Sequence, residues 1–256
     1  MDNSRDVPLV NNSYGLEGYG DVLAHVDASR IVAYKAHSAD EVRCLFVEHL
    51  VDPRGILLLT RNPLYCIASH VLGKLDKARS RTGLPQDADE LALLCEKAID
   101  LQYEKWFELL GLYYRTKAQG RNCDHVLYED MCSSQEVDRA SFLAKLDRIL
   151  GRQIKASRMT ELVRDWDNIV MASASGEGRA WRGAMTFLHD KNFNLTKFDS
   201  IYSLSGLITR LVVKIDKSLD EVVGHSRKFP AYAALQSVLA RYRDEIVSFD
   251  VTSFGN

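Results

Sequence analysis

An apolar run of strand length that stops at an arginine and turns directly into a helix constrains this chain more than any other feature. The run is Gly55-Ile56-Leu57-Leu58-Leu59-Thr60. Arg61-Asn62-Pro63 follows, then Leu64-Tyr65-Cys66-Ile67-Ala68-Ser69-His70. The run has almost no polar alternation, the pattern of a strand buried on both faces of a parallel sheet. Asn62 is a good helix cap, and Pro63 sits where a first helical residue belongs. Such a corner gathers a fixed positive charge, unpaired backbone N–H groups and the positive end of a helix dipole. It suits a phosphate or a similar dianion. Read on its own, Arg61 is also open to a salt bridge with Glu129 or Asp130. Ser69, two helical turns on, is also open to the plain role of a small residue facing the sheet.

The flanking pattern alternates strands with helices. Ile31–Lys35 reads as a short β-branched strand, and Ser38-Ala39-Asp40-Glu41 as a capping box that opens a helix. The helix from Pro63 runs to about Arg79, with a basic loop over Lys74–Pro85. A long helical pattern spans Asp87 to about Lys117, broken near Gly111. Asp124–Tyr128 reads as a third strand. Helices are expected over Glu136–Leu150, stopped by Gly151, and over Ser157–Val170. The order implies an α/β fold on a parallel sheet. From Asp199 the pattern is helical only, over Ile201–Val223 and Ala231–Ile246. The expected organisation is an irregular segment 1–30, an α/β domain 31–190 and an α-helical C-terminal extension 191–256.

Lys+Arg 33 against Asp+Glu 35 leaves the charge near zero, so neither nucleic acid nor an anionic membrane is an expected partner. Cys44, Cys66, Cys95, Cys123 and Cys132 form no CxxC pair, and His70, His125 and His189 have no ligand-like spacing. No metal is expected. The thiols read as reduced and mostly buried, in a reducing compartment. With no long apolar stretch and no signal-like N-terminus, the expected location is cytoplasmic.

Three segments, in this order, resemble the PAPS-dependent sulfotransferase family. They are Tyr34-Lys35-Ala36-His37, Thr60-Arg61-Asn62-Pro63 with Ser69, and Val126-Leu127-Tyr128-Glu129-Asp130-Met131. A fourth, Gly176-Glu177-Gly178-Arg179-Ala180-Trp181-Arg182, resembles the family's glycine-rich loop. The match covers roughly residues 31 to 186. The resemblance implies a three-layer parallel sheet of the P-loop NTPase-like type. It also implies transfer of a sulfuryl group from PAPS, the donor, to a hydroxyl or amine of a small-molecule or glycan acceptor, without a metal. By resemblance, His37 is the base that takes the acceptor proton, and Lys35 stabilises charge on the leaving phosphate. Arg61 and Ser69 would hold the donor's 3′-phosphate, Tyr128 its adenine, and Gly176 would belong to the donor loop.

The chain departs from that family at two places. The Lys/Arg-Ser-Gly-Thr-like loop that wraps the 5′-phosphosulfate should lie well before His37, and nothing in the preceding segment matches it. In the fourth segment Ala174 and Ser175 stand where the family has arginine and lysine. A truncated or mis-started product, a divergent member, or a second chain completing the sheet would each account for the missing loop. The competing expectation is a catalytically silent homologue that serves as an interaction module. Its contact surface would be the helical tail, with Ile201, Leu204, Leu207, Ile208, Leu211, Val212 and Ile215 in one apolar stripe. A homodimer is left open.

Overall fold

Among the described residues strands are few and short, and most of the buried apolar side chains lie on helices. The computed structural model describes residues 9–11, 33–35, 38–47, 55–81, 83–131, 135–149, 151, 155–165, 193–226 and 230–251. The chain divides into two units, Met1–Pro53 and Arg54–Asn256. In the first, strands β1 (Leu9–Asn11) and β2 (Ala33–Lys35) pair in parallel, with Leu9 opposite Ala33. Helix α1 (Ala39–Val47) follows. Ser38 caps it as the capping-box sequence leads one to expect: its Oγ accepts from the Glu41 N–H at 3.2 Å.

The second unit begins with β3 (Ile56–Thr60), α2 (Pro63–Arg81), α3 (Ala88–Ala118) and β4 (Cys123–Leu127). It continues with α4 (Tyr128–Met131), α5 (Glu136–Ile149), α6 (Ala156–Arg164), α7 (Phe193–Asp199), α8 (Leu204–Ser226) and α9 (Pro230–Val247). β3 and β4 pair in parallel, in register from Ile56 opposite Cys123 to Thr60 opposite Leu127. Gly55, just before β3, lies against α5. A Cβ there would come within 2.9 Å of Ile149 Cγ2, so any larger residue would have to displace that side chain.

Local signals set several helix ends. The Asp87 carboxylate accepts from the N–H groups of Asp89 and Glu90, both at 2.9 Å, and starts α3. Gly120 and Gly151 follow α3 and α5 at φ +80° and +79°, a backbone conformation open to glycine and costly for other residues. Two helices run further than the sequence implies. α3 passes through Gly111 without a break, because Leu110, Tyr113 and Tyr114 on either side of it are buried. α2 extends to Arg81, so Lys74, Lys77, Arg79 and Arg81 form an exposed helical flank rather than a loop.

The expected α/β fold, a three-layer parallel sheet with a helical C-terminal extension, is overturned. Among the described residues the protein is mostly helical, and its strands form two separate two-stranded sheets. Leu59 shows why the strand reading overreached. It is 48% exposed, whereas a strand inside a covered parallel sheet would bury it. An apolar run of five residues looks the same in sequence whether it gains one partner strand or two.

The core is instead helix against helix. Leu207, Leu211 and Ile215 of α8 and Leu239, Tyr242 and Ile246 of α9 are fully buried. All of these except Tyr242 share one cluster with Leu64, Ile67 and Val71 of α2 and Ile99, Tyr103 and Leu110 of α3. Burying such side chains stabilises the fold by roughly 1.5–3 kcal/mol each. The tail stripe is therefore central packing and not an appendage. A buried hydrogen bond between Tyr103 Oη and Ser218 Oγ, at 2.8 Å, joins α3 to α8. No helix among the described residues is long and apolar enough to cross a membrane.

Candidate functional site

The corner after β3 is built on Asn62. Its Oδ1 accepts from the Leu64 N–H at 3.0 Å, and its carbonyl accepts from the N–H groups of Tyr65 and Cys66, both at 3.1 Å. Pro63 has no N–H to satisfy. The Asn62 N–H donates to Glu129 Oε1 at 2.8 Å. The unpaired N–H groups expected here are thus all occupied from within the chain, and the anion at the start of α2 is the protein's own Glu129.

A charged network backs this arrangement. Asn62 Nδ2 donates to Glu245 Oε2 of α9 at 2.9 Å, and Arg241 Nε to Glu245 Oε1 at 2.8 Å. Arg241 also reaches Asp130 at 3.3 Å. Burial raises the Glu129 carboxyl above its ordinary range, and the negative charge of Glu245 adds to that. The Asn62 N–H and the Arg61 charge oppose the rise. Glu129 Oε2 is buried without a hydrogen-bond partner among the described residues. Burial likewise pushes the Cys66 thiol up to about 11, so at neutral pH it stays protonated and unreactive.

Arg61 stands on the other side of the corner. Its guanidinium carbon lies 5.4 Å from the ring centroid of Tyr65 and 5.1 Å from that of Tyr128. Each contact stabilises by about 0.5–1 kcal/mol or somewhat more, and together they orient the planar group. The salt bridge left open from sequence does not form. Among the described residues no carboxylate lies within ion-pair distance of Arg61: Asp130 is held by Arg241, and Glu129 by the Asn62 N–H.

Ser69 is half-buried on α2, four residues beyond Tyr65 and so on the same helix face. Its hydroxyl makes no hydrogen bond among the described residues. Gly73, one turn further, has open space where a Cβ would be, so this flank of the helix is uncovered there. Tyr128 is not the end of a strand but the first residue of α4. Arg61, Tyr65 and Tyr128 are therefore brought together, with Ser69 one turn along the face of Tyr65. Lys35 is the last residue of β2, in the first unit, and His37 and Gly176 lie outside the described residues. No family model, curated protein or solved structure matches this chain.

Sequence reasoning passed over Tyr65, although it sits inside the decisive run. Aromatic residues four apart from a serine carry no distinctive spacing. Glu245 and Arg241 gave no signal at all, because their meeting with Asn62 and Asp130 depends on how α9 packs. A concavity of about 670 Å³ lies along α8 and includes Asp100, Arg210, Lys214 and Lys217. Its charges largely satisfy one another: Arg210 forks onto Asp100 with two bonds of 2.7 Å, and Lys214 meets Asp100 at 3.0 Å. Among the described residues no group of three or more His, Cys, Asp and Glu side chains is placed to hold a metal ion.

A guanidinium offers a forked pair of donors to one anionic group, and that of Arg61 lies beside two phenol rings. It is less suited to a multiply charged donor. Arg61 and Arg241 face Glu129, Glu245 and Asp130, so the local charge does not favour a bisphosphate.

Proposed function

We propose that this chain is a helical recognition module that binds a single anionic group, a phosphate or sulfate monoester, at Arg61. One observation carries the reading: an arginine without an ion-pair partner among the described residues, held against Tyr65 and Tyr128. A guanidinium in that setting offers a forked pair of donors at low ordering cost. The free thiols Cys66, Cys95 and Cys123 support a reducing, cytoplasmic setting. Calorimetry with inorganic phosphate, sulfate and phenyl phosphate tests the proposal. Binding with Kd on the order of 1 mM or tighter is expected, weakened in Arg61→Lys and lost in Arg61→Ala. Equal heats for the wild type and Arg61→Ala would refute it.

A second reading is sulfuryl transfer from PAPS to a small-molecule or glycan acceptor. The ordered segments around Lys35 and His37, Arg61 and Ser69, and Tyr128 favour it. Titration with adenosine 3′,5′-bisphosphate separates the two. Sulfuryl transfer requires binding at least tenfold tighter than that of inorganic phosphate, with loss in both Arg61→Ala and Ser69→Ala. The recognition reading expects the bisphosphate to bind no better than a simple monoester.

A further inference from the structure

We propose that His125 is an acid-sensitive latch that ties helix α9 to the strand end carrying Arg61. The proposal is independent of the anion-binding reading, since the latch exists whether or not Arg61 takes a ligand.

A line of hydrogen bonds crosses the second unit from α9 to α3. Tyr242 Oη lies 3.1 Å from Thr60 Oγ1, and Thr60 Oγ1 lies 2.6 Å from His125 Nε2. On the other side of the ring, His125 Nδ1 lies 3.1 Å from Tyr114 Oη. Tyr242, Thr60 and Tyr114 are all buried. Thr60 is the last residue of β3 and the neighbour of Arg61, so the chain meets the corner at its base.

Hydrogen counting makes the neutral ring the natural partner here. Three links join four groups. With a neutral imidazole these groups carry one hydrogen each, and a single terminal hydroxyl hydrogen is left outside the line. A protonated ring donates from both nitrogens. Five hydrogens then serve three links, so the Tyr114 hydrogen and that of either Thr60 or Tyr242 are left without an acceptor in the line.

The surroundings oppose the charge as well. From α5, Lys145 Nζ donates to the His125 carbonyl at 2.9 Å. From α3 come Lys117 and the Tyr113 ring, the latter 5.8 Å away between centroids. β4 itself carries Cys123 and Asp124, and Asp124 is engaged by two bonds from Arg148 at 2.9 and 3.0 Å. β3 and α9 present only the hydroxyls of Thr60 and Tyr242. Burial, with Lys145 and Lys117 adding to it, pushes His125 down to about 3.

The sign follows from linkage. The folded ring resists a proton that the opened chain accepts near the ordinary histidine value. Stability is therefore complete above about pH 6.5 and is lost as pH falls. The opened population grows about tenfold for each pH unit below that point, down to the folded value. The opening is expected at α9, because Tyr242 is the member of this hydrogen-bonded line that belongs to that helix.

Two measurements on the full chain test this. In a proton NMR titration, the His125 ring signal of the native protein should not move between about pH 8 and pH 5. A midpoint near the ordinary histidine value would overturn the latch. In thermal unfolding, the wild type should lose about 5 °C more than His125→Gln between about pH 7.5 and pH 5. Parallel losses would overturn it too, and the ring titration decides alone if His125→Gln does not fold. Trp106 locates the opening, since its ring lies 5.8 Å from that of Tyr242. Its emission, read as the difference from Trp106→Phe, should shift to the red on acidification below the main unfolding temperature. An unchanged difference signal would place the opening elsewhere and reject α9 as its site.

Discussion

The side-chain amide of Asn62 donates to the carboxylate of Glu245 at 2.9 Å across 183 positions of sequence, while its own oxygen caps α2. One residue thus starts a helix and anchors the last helix of the chain to that start.

Replacing Asn62 separates these roles. Asn62→Ala removes the cap and leaves Glu245 with Arg241 as its remaining partner, at a cost of about 1–2 kcal/mol. Asn62→Asp restores a capping oxygen but places a third carboxylate beside Glu129 and Glu245, so it should not recover the wild-type value. Urea unfolding of the three proteins gives the ranking, and an aspartate variant as stable as the wild type would remove the Glu245 anchor from the account.

The C-terminal helices should be indispensable to the second unit. Leu211 is fully buried, and Leu211→Ala is expected to cost about 2–5 kcal/mol. Val213, two positions on and 64% exposed, should tolerate alanine within about 0.5 kcal/mol. A chain ending before α8 should show no cooperative unfolding by circular dichroism. Cooperative melting of that shortened chain would return α8 and α9 to the status of an extension.

Glu129 should act against stability at neutral pH. Its carboxyl is raised by burial, so the folded state holds the proton more tightly than the unfolded chain. Stability is then lost as pH rises from the ordinary carboxylate value through the raised one. Glu129→Gln keeps an acceptor for the Asn62 N–H and removes the buried charge. It should be more stable than the wild type at about pH 8, with the gap narrowing toward about pH 4.5. The opposite trend in denaturant midpoints would show that the Arg61 charge outweighs burial.

Tyr103 and Ser218 offer a cleaner case of a buried pair. Tyr103→Phe leaves the Ser218 hydroxyl without its partner at 2.8 Å and should cost about 1–2 kcal/mol. Adding Ser218→Ala should return part of that loss. A double-mutant cycle measures the coupling, and strictly additive losses would mean that the bond contributes nothing specific.

Local chemistry in the sequence was enough to place the punctuation of this protein. The Asn62-Pro63 start of α2, the start of α3 near Asp87, the Gly151 stop and the extents of α8 and α9 to within three residues are legible because each depends on neighbours a few positions away. Arg61 as the notable charge of the corner is legible for the same reason. The tertiary structure alone decided that β3 pairs with β4 and leaves Leu59 exposed. It also decided that Glu129 fills the start of α2, that Tyr242 reaches Thr60, and that the apolar stripe of α8 is core. Those outcomes hinge on contacts between segments far apart in the chain. A strand's apolar run or a helix's apolar face states that it must be covered, and only packing settles by what.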